Sequence, residues 1–548
     1  MTPVTPSGFQ NVDSRRVPPF LSPLPRVRLV DAFARPFDGV VAAARTCYSP
    51  KGIVTVDDVA GDPLADPAER ARRRERRDAL ARDVYAAGHH TTFQHAHLQF
   101  TLENVSRQLV WSFLHAHPHY NSEQTSQRYV EVKPGRYAVP ALAGEALEVY
   151  RACCEMQTEA YRRLGDALAP RAARAFFATF RGRASQPERW EKAIRKRALE
   201  VARYALPVAT FTTLYHTVPA VTLLRYRRLA ATFDAPTEQR LVVEAMTDEL
   251  LRHDPSWAAV LQEPIPLEET PEHALAERLF SAPRRDRPGD GSFRSRFDAS
   301  LDGRVSKLVD RKARNEGLLA EAVREVVGVT PEALSDDDAI ALAVDPAANR
   351  LLGESLNLTE HGKLSRALHH PAYTFRKKLS HTADSQDQRH RTTPGSRPTL
   401  HAYLSDEPDY VTPMLLEEPG EARTIYDETM ARTWEAIARL GALGVPDEWR
   451  AYLLPNAVAL RFTESADLAG LKHKLAMRLC WNAQEEIWRA SVDEAEQVRD
   501  AEPRIGRWLL PPCGLRARAG AKPVCPEGER FCGVLVWKQD LTAWRRLL

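Results

Sequence analysis

Residues 386–397 read QDQRHRTTPGSR and residues 121–129 read NSEQTSQRY, and the interpretation of the chain turns on these two polar stretches. In the first, Arg389 and Arg391 flank His390 with no apolar neighbour, so nothing argues for a core segment. A guanidinium–imidazole–guanidinium triplet suits a bound anion or an electron-rich ring. An exposed loop would accommodate the same residues. In the second stretch, backbone N–H groups, Ser126 and the fork of Arg128 can be offered to a phosphate. A hydrogen-bonded surface loop is the plainer alternative.

Between these stretches lies His115-Ala116-His117-Pro118-His119. In an extended strand alternate histidines would share a face, as a metal site requires, but no carboxylate or cysteine accompanies them. Downstream, 467–489 is predicted as one helix, with Leu468, Leu471 and Leu475 in a stripe on which Arg478 falls next. An arginine on a buried face must be paired or must meet an anionic ligand; a side chain snorkelling from the stripe's end is the alternative.

The surrounding sequence is helix-rich. Strand-like patterns occur at 27–30 and 97–102, and helical periodicity at 38–48, 68–85, 144–168, 188–204 and 238–253. The run Arg70 to Arg77 reads as a solvated helix face. A second helical region runs with breaks from Leu301 to Trp488. The expected division is a leader at 1–25, a first half at 26–262, a Pro/Gly/Ser/Arg-rich linker at 263–300, a second half at 301–508 and a loop-like tail at 509–548. A weak echo links the halves: His95 before Leu98-Gln99-Phe100 resembles His370 before Tyr373-Thr374-Phe375, and Leu206-Pro207 resembles Leu454-Pro455. An echo at that length suggests a repeated domain.

In order and spacing these motifs resemble the flavin-dependent thymidylate synthase family. Its early segment is matched by Ala43-Ala44-Arg45-Thr46-Cys47-Tyr48-Ser49, and its Gly-His segment approximately by Gly88 to His95. The first half keeps the Ser-x-Arg-Tyr loop at 126–129 and the arginine before Leu206-Pro207, Arg203, but has histidines where the triplet belongs. The second half keeps Arg389-His390-Arg391, with Gln388 before it, and His473, Arg478 and Ala483 to Ile487, but lacks the loop. The family's Asn-x-Arg pair falls at Pro219 and Val221 in one half and at Asp467 and Ala469 in the other.

The resemblance implies an α+β fold of two tandem helix-rich copies, each with a small antiparallel sheet. It implies FAD as cofactor, with deoxyuridylate, methylenetetrahydrofolate and NADPH as reactants. Gln124, Thr125, Ser126, Gln127, Arg128, Arg203, Gln388 and Arg389 would hold the nucleotide. Arg389, His390, Arg391, His473, His89 and Thr91 would hold FAD, and Arg478 would act at the pyrimidine ring. It also implies one chain in place of two family subunits, and hence a homodimer in place of their tetramer.

Bulk properties agree with such a chain. Its 548 residues allow more than one domain, and its 76 basic against 73 acidic residues give no electrostatic reason to expect a nucleic-acid partner. No apolar run is long enough to cross a membrane, and the Pro-rich start lacks a secretory apolar region. Seven cysteines are too few for a disulfide scaffold, so a reducing, cytoplasmic setting is expected. Cys480, Cys513, Cys525 and Cys532 make a four-thiolate zinc site conceivable, but no Cys-x-x-Cys knuckle is present and ordinary reduced thiols are expected.

Overall fold

The computed structural model describes residues 18–541 except 62, 63, 65, 231–234, 281–289, 355–357 and 406, together with 544, 546 and 547. Two antiparallel sheets organise these residues. The first has the order β1 (Arg26–Ala32), β2 (His97–Ser106), β4 (Phe211–Pro219), β3 (Asn121–Gln124); the second has β5 (Ser306–Arg311), β6 (Ala372–Ser380), β7 (Ala459–Asp467). Strand β2 buries Leu98, Phe100 and Leu102 and leaves the residues between them more exposed, the period of a half-buried strand. Each half is thus a helix-rich unit with a small sheet, repeated in tandem.

Register makes the repeat explicit. Phe100 opposes His216 as Phe375 opposes Glu464, and Ser106 opposes Phe211 as Ser380 opposes Ala459. The first half spends one more residue between these rungs. A bulge between Leu102 and Val105 absorbs it, with Asn104 at φ 55°. One extra residue, left unpaired, is what such a bulge inserts, and Asn tolerates the left-handed conformation.

Both strands end on a serine that caps the next helix. Ser106 Oγ accepts from Leu109 N and donates to Glu238, while Ser380 Oγ accepts from Ala383 N and donates to Glu486. Tyr452 of the second half donates to Glu238 at 2.6 Å, and Tyr204 of the first donates to Glu486 at 2.5 Å. The two Leu-Pro turns meet as well: Val208 N donates to Leu454 O and Asn456 N to Leu206 O. The halves are therefore joined about a local two-fold axis, and one continuous core runs through both.

Several sequence expectations change. The helix predicted to end at Leu168 spans Gly144–Thr179 through Pro170, because the buried stripe continues at Ala172 and Phe176. That packing outweighs a proline cost of about 3 kcal/mol. The single helix predicted over 467–489 is two, Leu468–Arg478 and Glu485–Ala501, with Asp467 and Gln484 as their caps. Segment 263–300 contains helices Pro271–Phe280 and Asp290–Ser300, and Asp298 pairs with Lys378 and Arg461 of the second half. The centre of that segment, like leader residues 1–17, lies outside the described residues. The tail is not all loop: Pro512–Arg518 is helical, and Arg516 donates to Gly353 O. Within the arginine run, Arg77 is buried against Asp38 at 2.6 Å instead of solvated. Among the described residues, no helix is long and apolar enough to cross a membrane.

Candidate functional site

The triplet follows the helix His381–Asp387 directly, so the Ser380 cap fixes where it emerges. His390 is buried, and its Nε2 accepts a 2.7 Å hydrogen bond from Arg478 Nε. Burial first, and then the Arg478 charge, hold this imidazole well below its usual pKa, so it is a neutral acceptor. Arg478 also donates to Gln386 O at 2.8 Å. Burial, together with the charges of Arg128 and Arg389, pushes its guanidinium down to about 10 against the opposing pull of Asp387. The helix bearing Arg478 lies close under the triplet's loop: a Cβ added at Gly470 would stand 2.9 Å from Thr392 O.

A cleft of about 500 Å³ opens on these groups. The second half walls it with Arg389, His390, Arg391, His473 and Arg478, and the first half with Tyr120, Ser122, Glu123 and Tyr215. Arg391 donates to Tyr120 O and lies over the Tyr120 ring, 5.5 Å from its centroid. A smaller cavity of about 180 Å³ meets the other side of Arg391 and reaches Gln94, Pro219 and Val221.

None of the first-half candidates lines this cleft, although Gln124 directly follows Glu123, which does. Gln124 Oε1 accepts from Arg107, Thr125 N donates to Thr213 O, and Ser126 Oγ accepts from Arg128 N. Buried Gln127 accepts from Asn456 across the join. Arg128 donates to Glu200 at 3.0 Å and to Asn482 O at 2.7 Å, and lines a cavity of about 470 Å³ with Lys196 and Arg197. Arg203 is buried beside Glu200, and one of its terminal nitrogens has no partner. Burial would raise the Glu200 pKa, but Arg128, Arg197 and Arg203 hold it down to about 2. The two groups of arginines share one field, since Arg128 opposes the charges of both Arg203 and Arg478.

Polar atoms lacking partners collect here. They include both amide atoms of buried Gln388, Gln386 Nε2, Arg107 Nε and the Tyr120 hydroxyl. An orphaned buried polar group costs about 1–3 kcal/mol, and of these atoms the Tyr120 hydroxyl belongs to a residue that lines the cleft. The cationic and aromatic walls fit a phosphorylated ring and a large flat cofactor. His89 and Thr91 are exposed and line none of these cavities. Sequence reading missed Arg107, Tyr120 and Gln386; for Arg107 the available signal was its place right after the strand's last serine.

The histidines near 115 are not a strand. His115 ends the helix Arg107–His115, with His117 and His119 stacked in the loop beyond. Burial pushes His115 down to about 3 and His117 to about 4. Among the described residues no group of three or more His, Cys, Asp or Glu is placed to hold a metal ion. Burial lifts Cys480 to about 11 and Cys513 to about 12, against thiolate formation.

A family model described as thymidylate synthase complementing protein matches residues 28–256 and 307–504. The chain is 31% identical over 157 residues to the flavin-dependent thymidylate synthase of Sulfurisphaera tokodaii, covering 28% of this chain and 60% of that protein. This match spans less than two thirds of the relative. The enzyme of the same name from Geobacter sulfurreducens is 28% identical over 169 residues, covering 30% of the chain and 70% of the relative. That of Clostridium tetani is 26% identical over 234 residues, covering 42% and 84%.

Proposed function

The chain belongs to the flavin-dependent thymidylate synthase family, and from that premise we propose that it converts deoxyuridylate to thymidylate with methylenetetrahydrofolate, NADPH and FAD. One observation carries this reading: Arg478 is bonded to the neutral imidazole of His390 beside a cleft walled by Tyr120 and Tyr215 of the first half, and it lies within the field of Arg128 from that half. Arg389, His390, Arg391 and His473 would hold FAD, which when bound supplies the hydride. Thr125, Ser126, Arg203 and Gln388 would hold the nucleotide. Arg478 would stabilise charge developing on the pyrimidine, a fixed guanidinium needing no reorganisation at the moment of reaction.

The repeat makes one such site per chain. His115 and His117 stand where the second half has Arg389 and Arg391, and Ala451 stands where the first half has Arg203. Exposed His89 and Thr91 would reach FAD from a second copy, which supports a homodimer. A catalytically silent nucleotide- or flavin-binding relative is the second reading, favoured by Pro219, Val221, Asp467 and Ala469 in place of the family's Asn-x-Arg.

The absorbance spectrum of the purified protein separates the two. The enzyme is expected to be yellow, to hold one flavin per chain, and to bleach with NADPH. A colourless protein that takes up no added FAD would end the enzyme reading, and two flavins per chain would end the one-site argument.

A further inference from the structure

Four cysteines from two separate segments are gathered at the far end of the second half. Cys480 lies in the turn between the helices Leu468–Arg478 and Glu485–Ala501, while Cys513, Cys525 and Cys532 belong to the tail. Hydrogen bonds fold the tail back onto that turn. Arg516 donates to Pro523 O at 3.0 Å, which returns the chain beside the helix Pro512–Arg518, whose second residue is Cys513. Asn482 donates to Arg530 O at 2.6 Å, which sets the loop of Cys525 and Cys532 against the turn of Cys480. Arg546 donates to Ala483 O at 2.7 Å and ties the end of the tail to the same turn. All four thiols are unbridged and part-buried.

The thiols stand within one another's fields. Burial first, and then the charges of Cys532, Glu527 and Cys525, oppose the thiolate of Cys480. Burial, followed by Cys480, Cys525 and Cys532, opposes that of Cys513. Four acids that suppress one another's ionisation suit a metal centre, because a coordinating thiol is deprotonated outright. Cations stand ready for the excess negative charge. The Arg546 charge pulls the Cys532 thiol down against its burial, and a Cβ added at Gly533 would stand 2.9 Å from a terminal nitrogen of Arg183.

Spacing decides the kind of centre. A single tetrahedral zinc ion draws its sulfurs to about 2.3 Å from one point, and among the described residues no three of these thiols are placed to do so. Eleven residues separate Cys513 from Cys525 and six separate Cys525 from Cys532, so no Cys-x-x-Cys knuckle is formed. A centre of several irons bridged by sulfide holds four cysteines wider apart than one ion does.

We propose that Cys480, Cys513, Cys525 and Cys532 hold an iron–sulfur cluster that staples the tail to the turn between the two late helices. Loading is a ligand exchange onto a preformed iron–sulfide core. Bonds from iron to the donor's thiolates break, bonds from iron to the four cysteines form, and the four thiol protons leave on the donor, with no change of oxidation state. The stapled loop reaches the first half: Glu527 and Arg530 wall the cavity that Arg128 lines, and a Cβ added at Gly533 would stand 2.8 Å from the Phe180 ring. The cluster's role is structural, and it holds whether or not the reaction assigned above is the right one.

The test uses the full chain, purified without oxygen and then treated with a synthetic thiolate-ligated iron–sulfide cluster. Iron, acid-labile sulfide and zinc are assayed after free reagent is removed. Iron and sulfide are expected in equal amounts, about two or four of each per chain. Cys525→Ser and Cys532→Ser should each lose most of their iron, whereas Cys47→Ser, at an exposed thiol outside the set, should keep all of it. Should the serine variants fail to fold, electron paramagnetic resonance of the unaltered protein reduced with dithionite reads the cluster directly, as an iron–sulfur signal distinct from a flavin radical. Absence of iron and sulfide after treatment, absence of that signal, a zinc ion in their place, or full iron in both serine variants would overturn the assignment.

Discussion

Arg478→Ala is expected to lower turnover by about 10²- to 10³-fold while the protein keeps its flavin. The guanidinium is fixed twice, by His390 Nε2 and by Gln386 O, so it cannot swing away as charge develops on the substrate. In the proposed reaction that charge falls on the pyrimidine, where removing a fixed donor acts on the transition state more than on ground-state binding. Of the flavin contacts assigned to Arg389, His390, Arg391 and His473, His390 alone is hydrogen-bonded to Arg478 among the described residues, so the other three stay in place. Arg478→Lys keeps a charge but lacks the fork that spans His390 and Gln386, and should recover little. Single-turnover oxidation of the reduced enzyme by substrate is the measurement. Full turnover in Arg478→Ala, or loss of flavin together with activity, would remove Arg478 from this role.

The outline of this site was legible because its chemistry lies in short polar runs whose residue types suit no core. Arg389-His390-Arg391 and Ser126 to Arg128 announce themselves that way, whereas Arg478 shows as a charge at the end of the leucine stripe Leu468, Leu471 and Leu475. The echo between the halves was also readable, since Phe100 and Phe375 occupy the same rung of their sheets. Arg107 was hidden because one arginine at a strand-to-helix junction has no local pattern; its meaning comes from Gln124 and Thr125, which fold back beside it. The extended reading of His115 to His119 failed because periodicity in so short a run cannot separate strand from helix end. Gly144–Thr179 was cut short because Pro170 is a strong local signal that tertiary packing overrode. The joining contacts of Tyr204 with Glu486 and Tyr452 with Glu238 were unreadable, since each pairs residues more than two hundred positions apart.

Lys377→Met should be the most damaging single change to folding, with an expected loss of about 3–5 kcal/mol. Lys377 is fully buried and bonded to Asp387 at 2.9 Å, Glu464 at 2.9 Å and Glu494 at 2.8 Å. Lys474 shares all three carboxylates, and Arg397 reaches Asp384, Asp387 and Glu464. Removing one cation leaves buried negative charge that the remaining two cannot offset, and a methionine of similar volume isolates that electrostatic loss from a packing loss. Burial and Asp387 already lift Glu464 to about 7 against the pull of Lys377 and Lys474, so losing Lys377 should favour its protonation further. The damage should therefore be smaller at pH 5 than at pH 8. Lys378, next on the same strand, supplies the control: it faces the other way and pairs with the part-exposed Asp298, so Lys378→Met should cost at most about 1 kcal/mol. Because Asp387 ends the helix that launches the triplet, Lys377→Met should also weaken flavin binding at temperatures where the protein is still folded. Urea unfolding of both variants at the two pH values, with flavin titration alongside, decides the matter. Equal stability losses at positions 377 and 378 would show that this buried cluster does not anchor the second half.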